Sequence, residues 1–479
     1  MKHPLAVLVV IALIANFVSA QPPSTLWSND YDHNDHADWF NHVQQTTDGG
    51  FIAVGTTMIP PFALEKLVYA VKTDSNGDTL WTKTYGNVRY YGGAAVRQIE
   101  GGYIITGSGS VSSQDFDDVI LIKTDNDGNM EWLRSYGGQY NDAGGDVIEA
   151  PDNGFLVVGY EDVNSLNNEN LYVIRTNANG DTLWTRTYGY GVGKEIITTS
   201  DGYYVIIGEN VSQSPYVIRL LKINASGDTL WTQTYSNGFS VASSFQQTND
   251  DGYIILGQRS ATGGGDYWPW LIKTAANGDT LWTKLYNWPG FHLAGGTEEL
   301  RQTTDGGYVF VGYQNTIYLP PSLRIIKTDA NGDTLWTGVY GGDTGATGSS
   351  IIEIAENNFI VAGKHPSGDI SDGYLLRLGE SPQSVTPQKA TIVTFFTCAI
   401  SPNPFNATTA ISYQLPVTAN VNLTIYDISG RQVIQLVNGW REAGDHEVTF
   451  DGVSLPSGIY LAKLTAGKYQ ASQKMVLLK

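Results

Sequence analysis

The densest group of potential ligands is Asp32-His33-Asn34-Asp35-His36-Ala37-Asp38, with His42 shortly after. Imidazoles and carboxylates at this density can hold a divalent metal, with His33, Asp35 and His36 as the first candidates. Nothing fixes their spacing on a strand, so a solvated loop is the simpler reading. The turn Asp125-Asn126-Asp127-Gly128-Asn129 starts like a Ca²⁺ loop. It lacks the Glu at position twelve, and hairpin tips use these residues anyway. No cofactor is therefore expected, with Ca²⁺ as the minor alternative. A catalytic set is not evident: there is no Ser/His/Asp signature, no H-E-x-x-H and no phosphate loop with Lys. Carboxylate pairs for glycoside cleavage need not be neighbours in sequence, so that chemistry stays open. The single cysteine, Cys398, excludes a disulfide framework or multi-Cys metal site.

Two aromatic stretches suggest recognition instead. Tyr267-Trp268-Pro269-Trp270 is one; Asn287-Trp288-Pro289-Gly290-Phe291-His292 is the other. Flat rings stack on sugar or peptide faces at low entropy cost. Trp268, Trp288, Tyr267, Phe291 and His292 are the candidate ligand-binding residues. Trp270 is expected in the core. Tyr90, Tyr91 and Tyr318 are weaker candidates for the same surface.

What positions these residues is a repeat with a period near fifty. Trp27, Trp81, Trp132, Trp184, Trp231, Trp282 and Trp336 recur at spacings of 54, 51, 52, 47, 51 and 54. A Gly-rich turn followed by an aromatic recurs at Phe51, Tyr103, Phe155, Tyr203, Tyr253, Tyr308 and Phe359. Each unit offers four strands, A to D. In the second unit these are about 94–99, 103–107, 119–124 and 130–136. Four short antiparallel strands per repeat make a β-propeller blade. The seven Trp residues then serve packing between blades. The last unit stops after strand C, and the first Trp strand precedes any strand A. The N-terminal strand should therefore complete the seventh blade and close the ring. The A–B and C–D turns share one face; the longer, varied B–C and D–A loops share the other. The varied face is the expected binding surface.

Both ends carry signals. Lys2, the apolar run 5–18 and Val18-Ser19-Ala20 read as a secretory signal peptide. Residues 398–479 alternate apolar and polar between turn signals and suggest a small β-sandwich. This segment resembles the type A C-terminal sorting domain of the type IX secretion system. The resemblance rests on Ser401 to Thr409, Ile425-Tyr426-Asp427-Ile428-Ser429-Gly430-Arg431, Ala443-Gly444-Asp445-His446, Leu455-Pro456-Ser457-Gly458-Ile459-Tyr460 and Lys474 to Lys479. Phe450 stands where the family usually has Trp. The resemblance implies a Gram-negative cell, export across the outer membrane, and the secretion machinery as partner of residues 398–479.

The expected fold is all-β: a seven-bladed β-propeller closed by its N-terminal strand, then a small Ig-like β-sandwich. Domains are expected at 1–20 (signal), 21–379 (propeller), 380–397 (linker) and 398–479 (sorting domain). The chain has a net charge of −19. The sorting segment holds five acidic and six basic residues, so the acidity belongs to the repeats. An acidic chain argues against nucleic acid as partner. No transmembrane segment is expected in the mature chain. The leading functional reading is a noncatalytic surface or secreted protein that binds an extracellular glycan or protein. A polysaccharide-degrading glycosidase or lyase, and a structural display protein, are the alternatives.

Overall fold

The computed structural model describes residues 21–479 except 60–64, 87–88, 111–115, 165–167, 211–214, 261–266, 287–290, 293–298, 317–318, 343–344, 368–369, 381–396, 416–418, 442–443 and 468. The signal-peptide reading lies outside the described residues. The described elements are all strands. The chain divides into two units, 1–383 and 384–479.

The first unit is a seven-bladed propeller of antiparallel sheets, each with strand order A-B-C-D. The innermost strands, A, are Ala37–Gln45, Arg89–Ile99, Asp142–Glu149, Val192–Thr198, Phe239–Gln247 and Thr347–Ala355 in blades one to five and seven. In blade six, strand A comes in two pieces, Phe291–His292 and Leu300–Gln302. Blade seven has strands A to C at Thr347–Ala355, Asn358–Ser367 and Ile370–Gly379; Ser24–Tyr31 adds as strand D. Its register repeats that of the other blades. Trp27 stands opposite Arg377, as Trp81 does opposite Lys72 and Trp336 opposite Lys327.

The blade interface explains the repeated residues. Six of the seven Trp rings lie 5.9 to 6.3 Å from the first aromatic of strand B in the following blade, as Trp81 does from Tyr103. In blade four the aromatic in this register is Tyr204, buried in the core, and not Tyr203, which is exposed. That corrects the sequence alignment by one residue. Four residues after each Trp, a Tyr hydroxyl donates to the next blade's C–D turn. Tyr31 reaches the Gly77 carbonyl at 2.7 Å and Tyr85 the Gly128 carbonyl at 2.8 Å. Blade seven lacks that turn, and Tyr340 donates to the Pro23 carbonyl at 2.9 Å instead.

The second unit is a sandwich of a three-stranded and a four-stranded sheet. Alternate residues such as Ile411, Tyr413, Val421, Leu423, Ile425 and Leu464 fill its core. Phe450 is buried there, 5.9 Å from the Phe405 ring. A phenyl ring thus fills this core position.

Candidate functional site

Strand A carries a β-bulge in all blades but the sixth, whose strand A is split. A bulge turns the next side chain inward and adds twist. The residues in this register are His42, Ala95, Asp146, Glu195, Ser244, Glu299 and Ser350. Two positions on come Gln44, Arg97, Ile148, Ile197, Gln246, Arg301 and Ile352. Together these two rows line the axial channel. The first row borders a cavity of about 40 Å³. The second widens to about 390 Å³ toward the A–B turns.

Five side chains of the first row tie their blade to the next. Asp146 accepts the Ile196 N–H at 3.2 Å, Glu195 the Phe245 N–H at 3.0 Å, and Glu299 the Ile351 N–H at 3.1 Å. Ser244 and Ser350 do the same for Leu300 and Val43. Ala95 cannot accept, and Asp146 takes its own blade's Val147 N–H at 2.8 Å. Arginines from the second row then cross-link the acids. Arg97 bonds Asp146 at 2.8 Å and reaches the His42 Nε2. Arg301 pairs with Glu299 and lies 3.8 Å from Glu195. Burial, then the charges of Arg97 and Arg301, push the His42 imidazole well below its ordinary value, so the ring is neutral. Burial raises the Asp146 carboxyl above the usual range, against the pull of Arg97. The channel is therefore plugged by an ionic network in which the His42 Nδ1 alone lacks a partner among the buried side-chain polar atoms. Its three carboxylates are committed to backbone N–H groups and guanidinium groups, which leaves no free acid–base pair among them.

The other face holds the aromatics. Tyr267 and Trp268 are half-buried at the start of strand C of blade five. Trp270 is buried, as expected. Tyr91 is not on the surface: its ring is fully buried against Gly86 and Gly109 in the core between blades one and two. Phe291, His292 and Tyr90 lie on strands of blades six and two. Trp288 and Tyr318 lie outside the described residues. Sequence reasoning missed two ring pairs on this face. Phe116 packs on Tyr140 at 5.9 Å, and Tyr216 on Phe239 at 5.9 Å and 77°. Phe116 and Tyr140 pair a B–C loop with the following D–A loop; Tyr216 pairs a B–C loop with the first residue of the following strand A. Phe116 and Tyr190 are both 49% exposed.

The polar N-terminal cluster is rearranged. His33 and His36 stack edge-on at 5.6 Å, and Asp35 donates its N–H to Asp32. The carboxylates that converge are Asp32, Asp38 and Asp372. The Asp-bearing C–D turns are explained by backbone bonding. Asp125 Oδ1 accepts the N–H groups of Asp127 and Asn129, and Asn177 makes the same two bonds in its turn. A neutral amide serves there as well as a carboxylate.

Among the described residues, no helix is long and apolar enough to cross a membrane. No curated protein matches the chain significantly. Among solved structures it is similar to PorZ, described as an essential bacterial surface component of the type-IX secretion system of Porphyromonas gingivalis. The identity is 11%, covering 92% of this chain and 70% of that one, with a TM-score of 0.37. The Dos1 propeller is similar at 10% identity, 89% and 95% coverage and a TM-score of 0.45. Residues 399–478 match the family model of the secretion system C-terminal sorting domain. This chain is a secreted or surface-exposed seven-bladed β-propeller that carries a type IX secretion C-terminal sorting domain for export across the outer membrane.

Proposed function

We propose that the propeller is a noncatalytic binder of an extracellular glycan or protein, acting through its B–C/D–A face. The observation that carries this reading is the arc of part-exposed aromatics over blades two to five: Phe116, Tyr140, Tyr190, Tyr216, Tyr267 and Trp268. Paired rings held by two separate segments are rigid, so stacking a sugar face on them costs little further ordering. Commitment of the channel carboxylates to the blade interfaces favours binding over a glycosidase or lyase.

The test is retention of the mature chain on a panel of insoluble polysaccharides and on outer-surface protein preparations. Phe116→Ala combined with Trp268→Ala should abolish retention at unchanged melting temperature. Release of reducing ends from any panel member would establish the enzyme reading instead. A wild-type chain that is retained by neither class would favour structural display.

A further inference from the structure

The seam where the ring closes carries three carboxylates from three strands. Asp32 follows the N-terminal strand, Asp372 lies on strand C of blade seven, and Asp38 lies on strand A of blade one. The ladder sets them together: Tyr31 stands opposite Gly373, so the next residues, Asp32 and Asp372, meet across the pair. The Ser371 hydroxyl donates to the Asp38 carbonyl at 3.2 Å, which brings blade one against the same point. One oxygen from each of the three carboxylates lies within 4.8 Å of the others.

The second observation is Asp38 itself. It is 0% exposed. Its Oδ2 accepts the His33 N–H at 2.6 Å and the Thr57 hydroxyl lies beside the carboxylate, but its buried Oδ1 makes no well-formed hydrogen bond. The nearby Tyr69 hydroxyl is also buried without a partner. Neither Asp32 nor Asp38 forms an ion pair among the described residues. An unpaired buried carboxylate oxygen beside two more carboxylates is costly unless a cation or proton compensates it.

We infer that Asp32, Asp38 and Asp372 form a Ca²⁺ site that latches the closing strand to blades seven and one. The donors are all hard carboxylate oxygens, which excludes a soft-metal preference. The three oxygens lie within 4.8 Å of one another, close enough for small side-chain adjustments to bring them onto one hard cation such as Ca²⁺. Three carboxylates completed by water suit the roughly 0.1–1 mM affinities of extracellular Ca²⁺ modules. The ion would act on stability and is independent of the loop-face ligand.

The test is calorimetric titration of the EDTA-dialysed mature chain with CaCl₂, paired with melting curves. The expected result is one ion per chain and a melting temperature that rises with Ca²⁺. Asp32→Asn, at an exposed position and so least able to harm folding, should weaken binding about tenfold or more. Asp372→Asn should do the same. Asp127→Asn, in a remote hairpin turn, should bind as wild type does. Absence of saturable binding by the wild type at millimolar Ca²⁺ would overturn the site. So would an Asp32→Asn chain that binds as tightly as wild type.

Discussion

Tyr340 in strand D of blade six donates its hydroxyl to the carbonyl of Pro23, 317 residues earlier in the chain, at 2.9 Å. Six other tyrosines make the equivalent bond to a turn glycine of the next blade. At the seam the turn is missing, and the segment before the N-terminal strand takes its place. Deleting residues 21–31 should therefore open blade seven and expose the edge of Ile370–Gly379, which invites pairing with other chains. The expected outcome is a melting temperature lower by at least about 5 °C, with higher-order species in light scattering. Tyr340→Phe removes only one hydrogen bond and should cost about 1 kcal/mol in urea unfolding. Unchanged stability on deletion would mean that the ring does not depend on this strand.

Two turn glycines of blade two separate backbone strain from packing. Gly101 has φ +82° and open space where a Cβ would stand. Gly128 has φ +74°, and its Cβ would lie 2.9 Å from the Trp81 ring. Gly101→Ala should cost about 1–2 kcal/mol for the left-handed conformation alone. Gly128→Ala carries that cost and must also displace a Trp wedged between blades. It should cost more by about 1–3 kcal/mol, in the range of overpacking. Equal losses in denaturant unfolding would show that the Trp–Gly contact is slack.

How much of this was legible depends on whether the signal repeats. The seven Trp residues, the blade count and the closing strand are written in every unit, so spacing alone reveals them. The tyrosine four residues after each Trp was equally visible, although its partner in the next blade was not. Tyr203-Tyr204 shows the limit of local reading: adjacent identical residues give no cue to which one enters the ladder, and only pairing with Ile223 settles it. Tyr91 looked like a loop aromatic because it sits in a Gly-rich stretch. Gly86, just before it, and Gly109, across on strand B, instead make room for its ring. The channel network was hidden because its members are about fifty residues apart and vary in type from blade to blade, with no one residue kept throughout. Stacking the repeats on the glycine of strand B would have aligned His42, Asp146, Glu195 and Glu299 in one column.

Asp142 gives a pH test with a definite sign. It is fully buried and accepts the N–H groups of Gly138 at 2.8 Å and Asp162 at 2.9 Å. Burial pushes its carboxyl up to about 6, against those bonds, and the charges of Glu161 and Asp118 add to the rise. Between about pH 4 and that value the folded chain binds the proton more readily than the unfolded chain. The stabilisation is thus full below about pH 4 and is lost as pH rises through about 6. Asp142→Asn should flatten this fall in unfolding free energy, whatever its effect on absolute stability. Asp48 runs the other way. Burial opposes its ionisation, but the Lys72 ammonium at 2.9 Å and its hydrogen bonds hold it near 2, so its contribution is lost as pH falls below about 4. A variant with the same slope as wild type would remove Asp142 from the account.

The channel plug predicts a specific pattern of coupling. Arg301 is paired with Glu299 and faces Glu195, while Glu299 also caps Ile351 of the next blade and accepts from Ser350. Arg301→Met leaves the buried Glu299 and the half-buried Glu195 without their cation and should cost about 3–5 kcal/mol. Glu299→Gln keeps an oxygen for the Ile351 N–H but leaves Arg301 with Glu195 alone, and should cost less. Combining them removes the charge imbalance at that pair, so the double variant should be clearly more stable than the sum of the two losses implies. A double-mutant cycle by urea denaturation reads this coupling directly, with about 1–3 kcal/mol expected. Additive losses would mean that the two groups act separately and that the plug is held by the backbone caps alone.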